Sequence, residues 1–139
     1  MHPLDTDTLS HLQAGHPRVV IQLQTLTDPD VGTTIISQIE LLRGRFDYIL
    51  KAATGADLLR AQSLLVRTEQ LLTQLRIVPL DAVAASRFDS LRVTKGLTKV
   101  GRADLLIASI ALTYGAVLVT RNTRHFRQIP NLRITNWVD

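Results

Sequence analysis

The sequence predicts an α/β fold, a mainly parallel central sheet covered by helices on both faces, and three observations carry that expectation. Short β-branched runs are mostly separated by longer stretches of helical periodicity, the pattern of parallel strands joined by helical crossovers. The breaks are single punctuators (Gly15, Pro29, Gly55, Gly96, Gly115 and Pro130), with no repeat, low-complexity tract or long linker between them. A chain of 139 residues, 45% of them hydrophobic, can fill one core, so one domain over residues 1–139 is expected.

Residues 1–4 form the first predicted strand. It is short, and Pro3 lacks the N–H that a central strand donates, so this strand should be weakened or clipped. Helical periodicity follows at 6–14 and 18–27. The β-branched run 31–36 is the second strand, and 37–52 the next helix. Over 57–72 the apolar residues Leu58, Leu59, Ala61, Leu64, Leu65, Leu71 and Leu72 recur at three and four, as on an amphipathic helix. Strand 76–80, helices 82–94 and 103–114, and strands 116–120 and 132–135 complete the order.

Composition excludes several functions. Cysteine is absent, which rules out disulfides, zinc–thiolate sites and a thiol nucleophile, and any metal must be held by oxygen or imidazole. The longest uncharged apolar run, 105–112, is far short of a membrane span, and no basic segment with an apolar stretch opens the chain, so a cytoplasmic protein without a membrane partner is expected. Neither a Walker A loop nor a G-x-G-x-x-G fingerprint occurs. From Arg87 onward, nine Lys/Arg face three Asp, a net of +6, whereas the first 86 residues carry −2. That asymmetry suits a polyanionic partner, although a soluble basic face is an equally good reading of charge alone.

In a sheet of this kind, ligands bind beyond the carboxyl ends of the strands, where the topology changes direction. Four groups of polar residues fall there. Asp5 and Asp7 follow the first strand, and for Asp7 helix capping is the better explanation. Glu40 lies four residues past Ile36 and would complete an S-x-x-E capping box with Ser37, a structural role sufficient by itself. Asp104 opens a strongly apolar helix, where the helix dipole favours an acid. Thr120, Asn122 and His125 come directly after a strand, with turn formation or exposure as the plain alternatives. Three acids from distant parts of the chain are better explained together: crowded carboxylates repel unless a cation sits among them, and oxygen ligation suits Mg²⁺ or Mn²⁺.

These segments resemble a known family. Leu-Asp-Thr-Asp-Thr-Leu-Ser at 4–10 is similar to the opening of VapC-type PIN domains. Residues 36–44 resemble the second motif, with Glu40 as its acid, and Gly-Arg-Ala-Asp at 101–104 resembles the third, with Asp104 as its acid. Residues 117–126 and 130–134 resemble the closing Thr-Arg-Asn motif and last strand. The resemblance covers nearly the whole chain in order. It implies a three-layer α/β/α sandwich and a Mg²⁺- or Mn²⁺-dependent endoribonuclease acting on structured RNA. It also implies a homodimer, as the toxin half of a type II toxin–antitoxin pair, inhibited by a small cognate antitoxin. On it, Asp5, Glu40 and Asp104 are the metal ligands, Asn122 a further catalytic residue, and Thr120, Asp7 and His125 supporting ones. The basic residues Arg102, Arg121, Arg124 and Arg127 would receive the RNA backbone. One departure stands out: many PIN domains carry an acid at or near the positions of Asn122 and His125, and this chain has none.

Three rival readings compete. A haloacid-dehalogenase-like phosphatase would use Asp5 as nucleophile, Asp7 as acid/base and Thr120 as second motif, but it needs a downstream Lys and an acidic pair, and after Thr120 there is no Lys and only Asp139. A metal-free ribonuclease could use His11, His16 or His125 as acid and base. A catalytically impaired domain would bind RNA or antitoxin without cutting.

Overall fold

The computed structural model describes all 139 residues. Its elements are β1 (His2–Leu4), α1 (Thr6–Gln13), α2 (Pro17–Thr25), β2 (Val31–Thr34), α3 (Ile35–Lys51), α4 (Gly55–Thr73), β3 (Arg76–Val78), α5 (Ala82–Arg92), α6 (Arg102–Thr113), β4 (Val117–Val119), α7 (Thr123–Phe126) and β5 (Arg133–Thr135). Five strands form one sheet in the order β3-β2-β1-β4-β5, with every pairing parallel. From β1 the chain steps outward one way through β2 and β3, then returns to the other side of β1 with β4 and β5. The switch point therefore lies between β1 and β4, and residues following these two strands meet there.

Side chains on a strand alternate between faces, and the two faces bury different helices. Leu118 packs with Leu105, Ala108, Ala111 and Phe126 on the α6 side. Leu4 and Val119 pack with Leu9, Val19 and Leu41 on the α1–α2 side, closed by Trp137 and Val138. This is the α/β/α sandwich that the alternating pattern predicts.

The first strand is central rather than frayed. His2, Pro3 and Leu4 register against Val31, Gly32 and Thr33 of β2. Pro3 leaves its mark on the other side, where only Leu4 pairs with Val119, and the junction is completed by Val117 N–H to Met1 O and Asp5 N–H to Val119 O, both 3.0 Å. The packing of β2 against β3 explains Gly32. A Cβ there would lie 2.2 Å from the carbonyl oxygen of Arg76, so only glycine permits this approach.

Three local expectations are corrected. Strand β2 stops at Thr34, and the predicted capping box of Ser37 with Glu40 does not form. Thr34 is the N-cap instead, its hydroxyl accepting from Ser37 N–H at 3.1 Å, because β-branched Ile35 and Ile36 already lie within α3. Glu40 thus stands in the second turn of the helix, not the first. Residues 123–126, read only as polar residues after a strand, form the short helix α7, fixed by buried Phe126.

Candidate active site

Asp5 follows β1 at the carboxyl edge and is 7% exposed. One carboxylate oxygen accepts from Thr8 N–H at 2.9 Å, making Asp5 the N-cap of α1; the other accepts from the Thr120 hydroxyl at 2.6 Å. The capping role assigned to Asp7 thus belongs to Asp5, while Asp7 sits in the first turn, 3.5 Å from His11. Burial pushes the Asp5 carboxyl above the usual carboxylate range, against the pull of the Thr120 and Thr8 bonds. Thr120 ties the two strands at the switch point together, and its oxygen also accepts from Asn122 N–H at 2.9 Å.

Glu40 projects from α3 and accepts from the Thr6 hydroxyl at 2.7 Å. Asp104, half-buried in the first turn of α6, has its carboxyl pushed up by burial above all, then by Glu40 and to a smaller degree by Asp5, while His125 works the other way. The three acids are thus neighbours at the carboxyl edge, linked through the Asp5–Thr120–Asn122–Asp104 hydrogen bonds and, for Glu40, through Thr6 of α1. None is paired with a lysine or arginine. Asn122, the N-cap of α7, donates through Nδ2 to Asp104 Oδ2 at 3.3 Å and to His125 Nδ1 at 3.1 Å.

The donor set fits a hard divalent ion. It is oxygen-rich, with negative charge that no lysine or arginine offsets. No three Asp, Glu or His side chains close up into a ready-made cage. Asp5 is turned toward Thr8 and Thr120, and Glu40 toward Thr6. Mg²⁺ keeps several waters and binds through one or two carboxylates together with substrate phosphates, so a tight protein cage is not required.

The arginines are split. Arg124 and Arg127, on and just after α7, are exposed and make no ion pair. Arg121 is partly neutralised by Asp139 at 3.2 Å, and Arg102 lies over the Phe88 ring at 5.1 Å. Thr6, which orients Glu40, was missed from the sequence. Its place directly after Asp5, at the start of α1, was the available signal. A cleft of about 710 Å³ lies away from the acids, between α2 and α4, and is lined by Leu12, Leu23, Leu26, Leu71 and Leu75 among others.

Fold and site together define a parallel α/β/α protein with uncompensated acids at its topological switch point. The PIN domain model matches residues 4–132, and the chain belongs to the PIN domain family. Ribonuclease VapC2 of Rickettsia felis is 42% identical over 69 residues, 48% of this chain and 51% of that protein, so this match spans about half of the relative's length. The tRNA(fMet)-specific endonuclease VapC of Salmonella typhimurium is 28% identical over 137 residues, covering 96% of each chain. The crystal structure of DNA-bound VapBC from Salmonella typhimurium aligns with a TM-score of 0.80 at 28% identity, covering 98% of this chain and 97% of that one.

Proposed function

We propose that these 139 residues form one cytoplasmic domain, the toxin of a VapBC-like type II pair. In this reading it is a Mg²⁺- or Mn²⁺-dependent endoribonuclease that works as a homodimer and is inhibited by a cognate antitoxin. One observation carries the chemistry: carboxylates from three elements gather at the switch point with no lysine or arginine paired to them, the His125 imidazole standing 3.8 Å from Asp104. The names of the VapC relatives support ribonuclease activity, and the VapBC complex supports an antitoxin partner.

Asp5, Glu40 and Asp104 would hold the ion. When bound, it supplies a polarised phosphoryl oxygen and a water activated for in-line attack. The chain's own residues do the rest. Thr120 and Thr8 fix the Asp5 carboxylate, and Thr6 holds Glu40. Asn122 orients Asp104 by the hydrogen bond its side-chain amide donates. Asp7, in the first turn of α1, adds negative charge beside Asp5. Arg124 and Arg127 offer unpaired charge to the RNA backbone, with Arg102 and Arg121 at its margin.

The missing fourth acid favours one second reading, a domain that binds RNA or antitoxin without cutting. Incubating purified, antitoxin-free protein with structured RNA separates the possibilities. Cleavage with Mg²⁺ or Mn²⁺ and none with EDTA is expected. Cleavage that survives EDTA would point to histidine acid–base chemistry, and binding without cleavage under either ion would leave the second reading.

A further inference from the structure

The acids and the arginines around them leave part of the basic C-terminal half without a role. Residues 90–103 and 121–138 contain no Asp or Glu. The first segment leaves α5, forms the connection to α6 and ends beside Asp104; the second carries α7 and β5. Leu97 and Val100 are buried in one cluster with Phe126 and Ile129, so the two segments lie against each other. Lys95 and Lys99 on one, and Arg124 and Arg127 on the other, are exposed and form no ion pair. Together they make a cationic strip that reaches the acids at one end. At the other end is a pocket of about 330 Å³, near the lower limit of the roughly 300–1,000 Å³ of small-ligand sites. It opens at the amino edge of the sheet, because its lining includes Leu112 in the last turn of α6 and Pro130 shortly before β5.

We propose that this pocket receives one unpaired nucleotide of the RNA substrate, a subsite remote from the cleavage centre that selects RNA by the position of a splayed-out base. The inference rests on the ribonuclease reading above. Leu91, Leu112 and Pro130 supply apolar walls, which suit the flat face of a base and not a bare phosphate. The Ser90 hydroxyl donates to the Ser86 carbonyl at 3.3 Å, and that of Thr94 to the Ser90 carbonyl at 2.7 Å. With their hydrogens used on the helix, these two oxygens offer the pocket acceptor lone pairs, the complement of base N–H groups. Arg87, also in the lining and in no ion pair, supplies the charge that a nucleotide's phosphate requires. The rise of α6 from Asp104 to Leu112 is about 12 Å, so the captured base is not a neighbour of the cleaved bond. The cationic strip between them gives the intervening RNA backbone its path.

Photo-cross-linking in EDTA reads the contact in the absence of cleavage. The probe is a hairpin RNA with an unpaired loop and tail, carrying 4-thiouridine or 6-thioguanosine, and the cross-linked peptides are mapped by mass spectrometry. Wild-type protein should cross-link within residues 86–94 or 130–132. Ser90→Phe and Ser86→Phe fill the pocket from exposed positions on α5, and thermal melts check that each remains folded. Both should lose that cross-link and bind the hairpin about tenfold more weakly, while a fully paired RNA duplex binds wild type and variants alike. Cross-links confined to the surroundings of the acids, filled variants that bind the hairpin as the wild type does, or an equal loss with the duplex would each overturn the inference. Cleavage in Mg²⁺ or Mn²⁺ is scored separately. A wild type that cross-links through the pocket but cuts under neither ion keeps the subsite and loses the nuclease reading; one that cuts without the pocket contact loses only the subsite.

Discussion

Asp104→Asn separates the chemistry of the site from its contribution to folding. In the fold, ionised Asp104 is disfavoured by burial and by Glu40 and Asp5, and favoured by His125 and, from its place in the first turn, by the dipole of α6. The raised carboxyl shows that the unfavourable influences win. Asparagine keeps the size and an oxygen that can accept from Asn122, and it removes the repelled charge. Its loss of dipole compensation is worth about 0.3–1 kcal/mol. The metal-free variant should therefore melt within about 4 °C of wild type, the equivalent of about 1 kcal/mol for a chain of this size. Catalysis should behave differently. If the ion lowers the barrier by about 4 kcal/mol, losing its hold costs roughly a thousandfold in rate. Single-turnover cleavage of a labelled RNA in Mg²⁺, beside thermal melts in EDTA, gives both quantities. Cleavage at the wild-type rate by a folded Asp104→Asn protein refutes the assignment, and reduces Asp104 to a helix-terminal acid.

Four further outcomes follow from particular contacts. Thr6→Val frees Glu40 from its 2.7 Å hydrogen bond and should lower metal-dependent cleavage about tenfold to a hundredfold, while the melting temperature stays almost constant. Gly32→Ala forces a Cβ against the Arg76 carbonyl and should cost about 1–3 kcal/mol, seen as a lower denaturant midpoint; an unchanged midpoint would show that β2 and β3 separate freely. Arg124→Ala and Arg127→Ala should each weaken RNA binding and reduce the slope of log affinity against log salt by about one, whereas an unchanged slope removes them from the RNA path. The pH dependence of metal-free stability should differ between wild type and Asp104→Asn. A raised carboxyl favours the protonated fold, so its contribution is present below the unfolded value and lost as pH rises through the folded one. The stability advantage of Asp104→Asn over wild type should accordingly grow toward neutral pH and vanish in acid, as chemical denaturation across the carboxylate range would register.

Much of this architecture was legible because period and punctuation agree. The uncharged apolar stretch 105–112 lies within the longer helical segment predicted over 103–114, and it became the buried body of α6. The placement of Asp5 and Asp104 followed from the rule that parallel sheets collect ligands at their carboxyl edge. Boundaries were harder. Ile35 and Ile36 have strand propensity, but Thr34 offers a hydroxyl to Ser37 N–H, and that cap starts the helix two residues early. Pro3 in a central strand also runs against local preference; pairing with β2 on one side and a shortened junction with β4 on the other make it tolerable. The Thr6–Glu40 and Asn122–His125 bonds depend on side-chain directions across elements, and no spacing in the chain encodes those.

The central claim is that one divalent ion sits among Asp5, Glu40 and Asp104. The most direct measurement is the anomalous scattering of crystals grown with Mn²⁺. A single strong peak within coordination distance of carboxylate oxygens from at least two of these three residues is the expected result. A protein that cleaves RNA in solution while Mn²⁺ binds elsewhere, or nowhere, would contradict it.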